Sequence, residues 1–108
     1  MFSIAEDFSR FPGPRFHWQG PNSGETFRGR LVKLLKGTDG RIKIILDGTT
    51  GIGSSFLDEA FGGLIRKEGF ARDVVRRRFQ FVSKTDPSYI VTIRNSIERA
   101  SAESTDAA

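Results

Sequence analysis

The chain has 108 residues, a hydrophobic content of 37% and ten phenylalanines, which suits one packed domain and leaves little room for a second core. Because it has no cysteine and a single histidine, His17, disulfides and thiolate metal sites are excluded, and a histidine-based metal site or catalytic triad is disfavoured. No apolar run approaches the ~20 residues needed to cross a bilayer, and the N-terminus is acidic where a signal peptide would be basic. We therefore expect a soluble, cytoplasmic protein that needs no cofactor or metal.

The N-terminal segment alternates weakly between apolar and polar residues. Phe2, Ile4 and Phe8 would lie on one face of an extended chain, which predicts a first strand over residues 2–8.

A loop rich in proline and glycine follows over residues 9–21 and cannot form a regular element. It carries Phe11, Phe16 and Trp18, which are costly to leave in water, so we expect the loop to fold over one end of the core. The alternative makes Arg15 and Trp18 part of a binding surface, since loops often carry binding residues.

The next segment has the pattern of an amphipathic helix. Its start is expected at Asn22 or Ser23, because Asn22 with Glu25 matches a capping pattern, and Gly37 should end it. The predicted buried stripe is Phe27, Leu31, Leu34 and Leu35, and the predicted solvent face is Arg28, Arg30, Lys33 and Lys36.

The centre of the chain predicts a strand, a loop and a helix in succession. Residues 42–46 form a β-branched apolar run of buried-strand length, and a loop of glycine and threonine follows over residues 48–53. A helix should begin at Ser54 and Ser55, where Ser55 with Asp58 matches the capping pattern. Its apolar face is predicted to contain Leu57, Phe61, Leu64 and Ile65.

Two interpretations of the serine pair stay open at this point. The start of a helix attracts anions, because free N–H groups and the helix dipole converge there, so the pair is a candidate functional site. The structural alternative is that the serines only cap the helix, and on these residues alone capping is favoured.

The same helix contains Gly62 and Gly63, which indicate close packing or a flat surface for a partner, and Gly69 should close it. A concentration of positive charge follows, which we treat as a solvated face first and as a binding patch second. The six cations of this basic segment are Arg66, Lys67, Arg72, Arg76, Arg77 and Arg78.

The C-terminal third predicts a short helix over residues 71–77 and a strand over residues 78–83. Asp86 and Pro87 form a typical helix start, and apolar residues recur at helical spacing up to residue 100, although the stretch Tyr89–Ile93 could also be a strand. The small, polar residues 101–108 are expected to form a flexible tail.

Strands thus alternate with helices, which predicts an α/β fold: a small single-layer sheet covered by helices, in one domain over residues 1–100. In such sheets binding sites lie beyond the carboxyl ends of the strands, and here that edge carries the loop of residues 48–55.

The central residues resemble a family of bacterial STAS-like domains of unassigned function. The strand Ile44–Asp47, the Gly/Thr loop and the segment from Ser54 to Gly62 match the family's signature, and Gly13–Arg15 and Ser23–Arg28 resemble its N-terminal half. The resemblance covers residues 2–100.

STAS domains proper include anti-sigma factor antagonists, in which a partner kinase phosphorylates a serine or threonine at the start of a helix. The resemblance therefore implies a STAS-like fold, with Ser54 or Ser55 as the modified residue and a histidine-kinase-like ATP-binding protein as partner. This chain has Gly53 and Phe56 where the STAS motif has an aspartate before the serine pair and a glycine after it.

Our leading interpretation is a non-enzymatic, regulatory protein-interaction module with Ser54 and Ser55 as its switch. The second is nucleic-acid binding, or inhibition of a nucleic-acid-handling protein, through the basic segment. An enzyme ranks last, because no nucleophile–base pair is evident and neighbouring carboxylates at residues 58 and 59 should diverge on a helix.

A dimer is compatible with the sequence but not required by it. The predicted partner-binding residues are Arg15, Trp18, Asp47, Thr49, Thr50, Gly53, Phe56 and Asp58.

Overall fold

A computed structural model describes residues 1–107, with side chains through residue 103, and contains a three-stranded parallel sheet. The strands are β1 (Phe2–Ser3), β2 (Ile42–Ile45) and β3 (Phe79–Val82), and β2 lies in the middle. In the register, Phe2 is opposite Ile44 and Ile44 is opposite Phe81. The predicted α/β fold with a single-layer sheet is confirmed.

Four helices connect and cover these strands. They are α1 (Gly24–Gly37), α2 (residues 54–66), α3 (Arg72–Arg78) and α4 (Ser88–Ala107). Helix α2 is continuous but has a π-helical section, Asp58–Gly62, between two α-helical sections. A right-handed crossover from each strand to the next places α1 and α2 on the same face of the sheet.

The core between the sheet and these helices is built from aromatic rings in stacked and edge-to-face contact. The ring of Phe27 in α1 lies 5.5 Å from that of Phe56 and 6.1 Å from that of Phe61, both in α2. Phe61 in turn contacts Phe81 of β3 at 5.3 Å. The opposite face of the sheet is exposed at Lys43 and Gln80, so the core lies on one side only.

The predicted first strand is wrong beyond Ser3. Residues Ile4–Phe8 form a π-helical turn, because the Ser3 hydroxyl accepts a hydrogen bond from the Glu6 N–H at 3.2 Å. The Asp7 carboxylate accepts a second bond from the Ser3 N–H at 2.8 Å. Local capping therefore outweighs the weak alternation of apolar residues.

Helix α1 begins one residue later than the first expectation. Its cap is Ser23, whose hydroxyl accepts from the Thr26 N–H at 3.1 Å, and Asn22 instead adopts a left-handed backbone with a φ of 57°. The predicted stripe is buried except for half-buried Leu34. The prediction that Arg28 faces solvent is wrong, since only 7% of this residue is exposed.

The other helices and strands follow the predictions closely. Helix α4 begins after Asp86, whose carboxylate accepts from the Ser88 N–H at 3.1 Å, so a strand at Tyr89–Ile93 is excluded. The close-packing interpretation of Gly63 is confirmed, because a β-carbon there would lie 2.7 Å from the Arg28 Nη1 atom. The predicted tail overlaps the end of α4 and includes Ala108, which lies outside the described residues.

None of the described helices combines the length and the apolar character required to span a bilayer.

Candidate functional site

The serine pair lies at the exposed start of α2. Gly53 is the cap residue, so Ser54 and Ser55 are the first residues of the helix, and both are exposed. The predicted capping bond between Ser55 and Asp58 is absent, because the cap residue has moved one step earlier and no side chain caps this end. Within the described residues, no hydrogen bond joins either hydroxyl to the chain.

The loop before the helix is held from several sides. Gly48 has a φ of +95°, which favours glycine, and a β-carbon there would lie 3.1 Å from the β-carbon of Ala5. The Ile52 N–H donates to the Tyr89 hydroxyl of α4 at 3.1 Å. The loop is therefore fixed by contacts at both ends, which gives the serines a defined orientation relative to the sheet.

The 9–21 loop exposes two aromatic residues, one of them beside the 48–53 loop. The Thr50 N–H and hydroxyl both donate to the Arg10 carbonyl, at 2.9 and 3.3 Å, which brings Phe11 beside the loop. Phe11 is 66% exposed and Trp18 is 73% exposed, so the prediction that the 9–21 loop buries its aromatic residues over the core is wrong for both. Trp18 stacks on Phe16 with ring centres 5.9 Å apart, which leaves its other face open to solvent.

The carboxylate of Asp47, just after β2, is engaged in hydrogen bonds within the chain. It accepts hydrogen bonds from the Lys84 N–H at 2.9 Å, and from the Thr85 N–H at 2.9 Å and hydroxyl at 2.8 Å. These bonds, first those from the Thr85 and Lys84 N–H groups, lower the pKa of Asp47. Asp47 thus joins the ends of β2 and β3, and a role in partner binding stays a prediction.

Of the other predicted partner-binding residues, Phe56 is corrected to a core residue, because its side chain is 0% exposed among the aromatic rings. Gly53 and Thr50 are exposed, and Thr49 is half-buried in the loop.

A buried ionic cluster lies one turn into α2 and was missed by the sequence analysis. Its centre is Glu59, which is 2% exposed and forms an ion pair with Arg28 of α1. Lys67 adds a second ion pair at 2.7 Å, and Arg15 a third at 3.2 Å. Arg28 also contacts Glu68 at 2.9 Å, so the cluster links α1, the middle and the C-terminal end of α2, and the 9–21 loop.

Arg15 bridges two neighbouring carboxylates in this cluster. Its Nη1 atom lies 2.8 Å from Asp58 and 3.2 Å from Glu59, so the two acids converge on one guanidinium although adjacent helical residues diverge. Arg66 pairs with Asp58 from the other side at 3.0 Å. The π-helical section begins at Asp58, so both acids lie where α2 departs from regular α-helical geometry.

The pKa values of these acids reflect competition between burial and charge. Burial alone raises the pKa of Asp58, but the hydrogen bonds from Arg15 and Arg66 outweigh it and lower the pKa. Burial likewise raises the pKa of Glu59, and the hydrogen bonds from Lys67, Arg28 and Arg15 outweigh it. The Arg15 pKa is raised, chiefly by its bond to Asp58. Both acids therefore stay ionised at neutral pH.

The basic segment is largely paired within the chain. Arg66 and Lys67 belong to the ionic cluster, and Arg72 and Arg76 contact Glu98 at 3.2 and 3.5 Å. Arg78 donates to backbone carbonyls of residues 35, 38 and 40, and thereby closes the turn between α1 and β2. Among the described residues, only Arg77 of this segment lacks a partner.

Nothing in the described residues forms a group of His, Asp and Glu side chains suited to a metal ion.

The fold is that of a small parallel α/β domain with an exposed loop after its central strand. Comparison with protein families matches residues 23–89 to a model described as a STAS-like domain of unknown function. The chain belongs to this STAS-like family, which suggests a regulatory or interaction module. The matched range includes the serine pair, whereas Arg15 and Trp18 lie outside it. No curated protein and no solved structure matches the chain.

Proposed function

We propose that this domain is a non-enzymatic interaction module that binds a regulatory protein through the surface around Ser54 and Ser55. The observation that carries the proposal is the exposure of both serines at the start of α2, directly after a loop held by hydrogen bonds at Thr50 and Ile52. The exposed ring of Phe11 beside this loop adds apolar area of the kind that anchors protein interfaces, and we include Trp18 as the second exposed ring of the 9–21 loop.

Phosphorylation of Ser54 or Ser55 would act as the switch, as in an anti-sigma factor antagonist. A phosphoserine adds about −1.5 to −2 charges at a helix start where free N–H groups favour an anion, so the domain tolerates the group. A docked partner would meet that bulk and charge directly and would be released. The partner is expected to be an ATP-binding protein of the histidine-kinase-like class.

The switch is tested by incubating the domain with ATP and each histidine-kinase-like protein of the source genome. We expect one of them to transfer phosphate, detected by intact-mass spectrometry and located by peptide mapping. Modification should disappear in a variant carrying both Ser54→Ala and Ser55→Ala, but persist in Ser88→Ala, since Ser88 is another exposed serine at a helix start. A double variant that is bound and modified like the wild type removes the serine site from consideration.

The docking surface has its own test with the same partner. Trp18→Ala should weaken binding by about tenfold or more, because exposed tryptophans often dominate interfaces. The control is Val91→Ala, since Val91 is 57% exposed on α4 and lies outside the 9–21 loop. Equal affinities for the two variants would show that the docking surface does not include Trp18 of the 9–21 loop.

Nucleic-acid binding through the basic segment is the second candidate from the sequence. It predicts an affinity that falls steeply with salt, because phosphate contacts release counterions. The ion pairs of the basic segment with Asp58, Glu59 and Glu98 would have to open first.

A further inference from the structure

The sheet has an open edge at β3. The Leu46 N–H donates to the Val82 carbonyl at 2.8 Å, so Val82 directs its backbone groups toward β2. Because alternate residues of a strand direct these groups to opposite sides, Phe79, Phe81 and Ser83 direct theirs away from the sheet. The Phe79 N–H donates a hydrogen bond to the Val75 carbonyl at the end of α3, so it is not free for a partner strand. Within the described residues, the N–H and C=O of Phe81 have no backbone partner on that side.

A groove of about 520 Å³ runs along this edge between β3 and α4. Gln80 and Phe81 of β3 line it, and so do three arginines from different parts of the chain: Arg41, Arg76 and Arg94. Arg41 and Arg94 are exposed, and no ion pair or hydrogen bond engages either of them in the described part of the chain. Glu98 is the acid in the groove, and it already contacts Arg76 at 3.5 Å.

We propose that this groove binds an extended acidic segment of a partner protein, which adds to β3 as a fourth strand. The free backbone groups of Phe81 would pair with the peptide backbone, and carboxylates of the peptide would meet Arg41 and Arg94. Arg41 directly precedes β2, and strand alternation assigns it to the uncovered face of Lys43. Arg94 belongs to α4, whose Ile93 and Ile97 lie in the core on the other face. An added strand points successive side chains to these opposite faces, so acids at neighbouring positions would each meet an arginine.

Charge also decides against a second copy of this chain as the occupant. Pairing two β3 edges would bring the arginines of one copy against those of the other, and like charges across an interface are unfavourable. The backbone groups of an open strand edge match a peptide rather than nucleic acid, which has no such ladder of donors and acceptors.

The test uses a fluorescein-labelled peptide in which single valines alternate with pairs of neighbouring glutamates, about six residues long so that it overlaps the edge strand and presents a carboxylate to each face. We expect saturable binding in fluorescence anisotropy, and Arg94→Ala or Arg41→Ala should each weaken it by about two- to fivefold. Arg77→Ala is the matched control, because Arg77 is exposed and lies outside the groove. A valine–lysine peptide should not bind, and added salt should weaken the acidic peptide.

A second measurement reports the strand itself. Hydrogen exchange at the Phe81 amide should slow when the acidic peptide is bound, and a peptide with proline at its central positions should give no such protection. Circular dichroism of each variant verifies that the fold is retained.

The proposal is overturned if no peptide binds saturably, if the lysine peptide binds equally, or if Arg77→Ala weakens binding as much as Arg94→Ala. Exchange at Phe81 that slows with protein concentration alone would instead identify a second copy as the occupant. Binding of a single-stranded oligonucleotide that displaces the peptide without protecting Phe81 would assign the arginines to nucleic acid. Variants at Ser54 and Ser55 should leave the peptide affinity unchanged, so this proposal and the serine switch fail separately.

Discussion

Replacing Glu59 by glutamine tests how the ionic cluster holds the domain together. The substitution keeps the shape of the side chain but removes the negative charge that Arg28, Lys67 and Arg15 share. Breaking a buried ion pair by removing one partner costs about 3–5 kcal/mol. Arg28 keeps its ion pair with Glu68 at 2.9 Å, so we expect the lower end of that range, about 3 kcal/mol.

A loss of that size is a large part of the roughly 5–15 kcal/mol that stabilises a typical domain. At about 4 °C per kcal/mol, the Tm of Glu59→Gln should fall by about 12 °C in calorimetry. The control is Glu98→Gln, which removes exposed ion pairs and should cost less than about 1 kcal/mol. If the two variants unfold within about 1 kcal/mol of each other, the cluster does not stabilise the fold as we argue.

Acidity provides a second test of the same cluster. The folded-state pKa of Glu59 is lowered, so its contribution to stability is complete above the unfolded value of about 4.3 and is lost as the pH falls through the folded value. The difference in unfolding free energy between the wild type and Glu59→Gln should therefore shrink below about pH 4. Urea titration of both proteins at each pH measures this difference. A difference that stays constant down to strongly acid pH would contradict this.

Three further predictions follow from local geometry. Gly24→Ala should lower the free energy of unfolding by about 1–3 kcal/mol, because a β-carbon there would lie 2.5 Å from a backbone carbonyl of α2. Gly29→Ala is the control: the space around Gly29 is open, so this variant should be more stable by up to about 1 kcal/mol. Urea unfolding measures both. Ser55→Asp should raise stability by about 0.3–1 kcal/mol and Ser55→Lys should lower it, since the helix start favours negative charge; equal Tm values would refute this. The lowered pKa values of Asp47 and Asp58 predict that stability of the wild type declines below about pH 4, and a flat acid profile would count against both networks.

The centre of the fold was predictable because its signals are local. The β-branched run of β2, the glycine-rich loop and the helical spacing in α2 all lie within one stretch of sequence, and they fixed the position of Ser54 and Ser55 correctly. The turn after β1 also had a local signal, since Ser3 is followed three residues later by Glu6, a capping pattern that the weak alternation obscured.

The ionic cluster was not predictable in the same way, because its members are far apart in sequence. Arg28 and Glu59 are separated by 31 residues, and Arg28 lies at a position that a helical pattern assigns to solvent. Only the approach of α1 to α2, at Gly63, which leaves room for the Arg28 side chain, brings the two charges together. Likewise, the open edge of β3 collects arginines from separate elements, which no spacing rule connects.

The proposal that the start of α2 is a switchable docking surface is tested most directly by calorimetric titration of the histidine-kinase-like partner into the domain. Compared with wild type, a variant carrying Ser54→Asp and Ser55→Asp should bind at least about tenfold more weakly while its Tm is unchanged or higher. Ser88→Asp, with its charge at the start of α4, should bind like wild type. Equal affinity of the wild type and the Ser54/Ser55 variant for that partner would contradict the proposal.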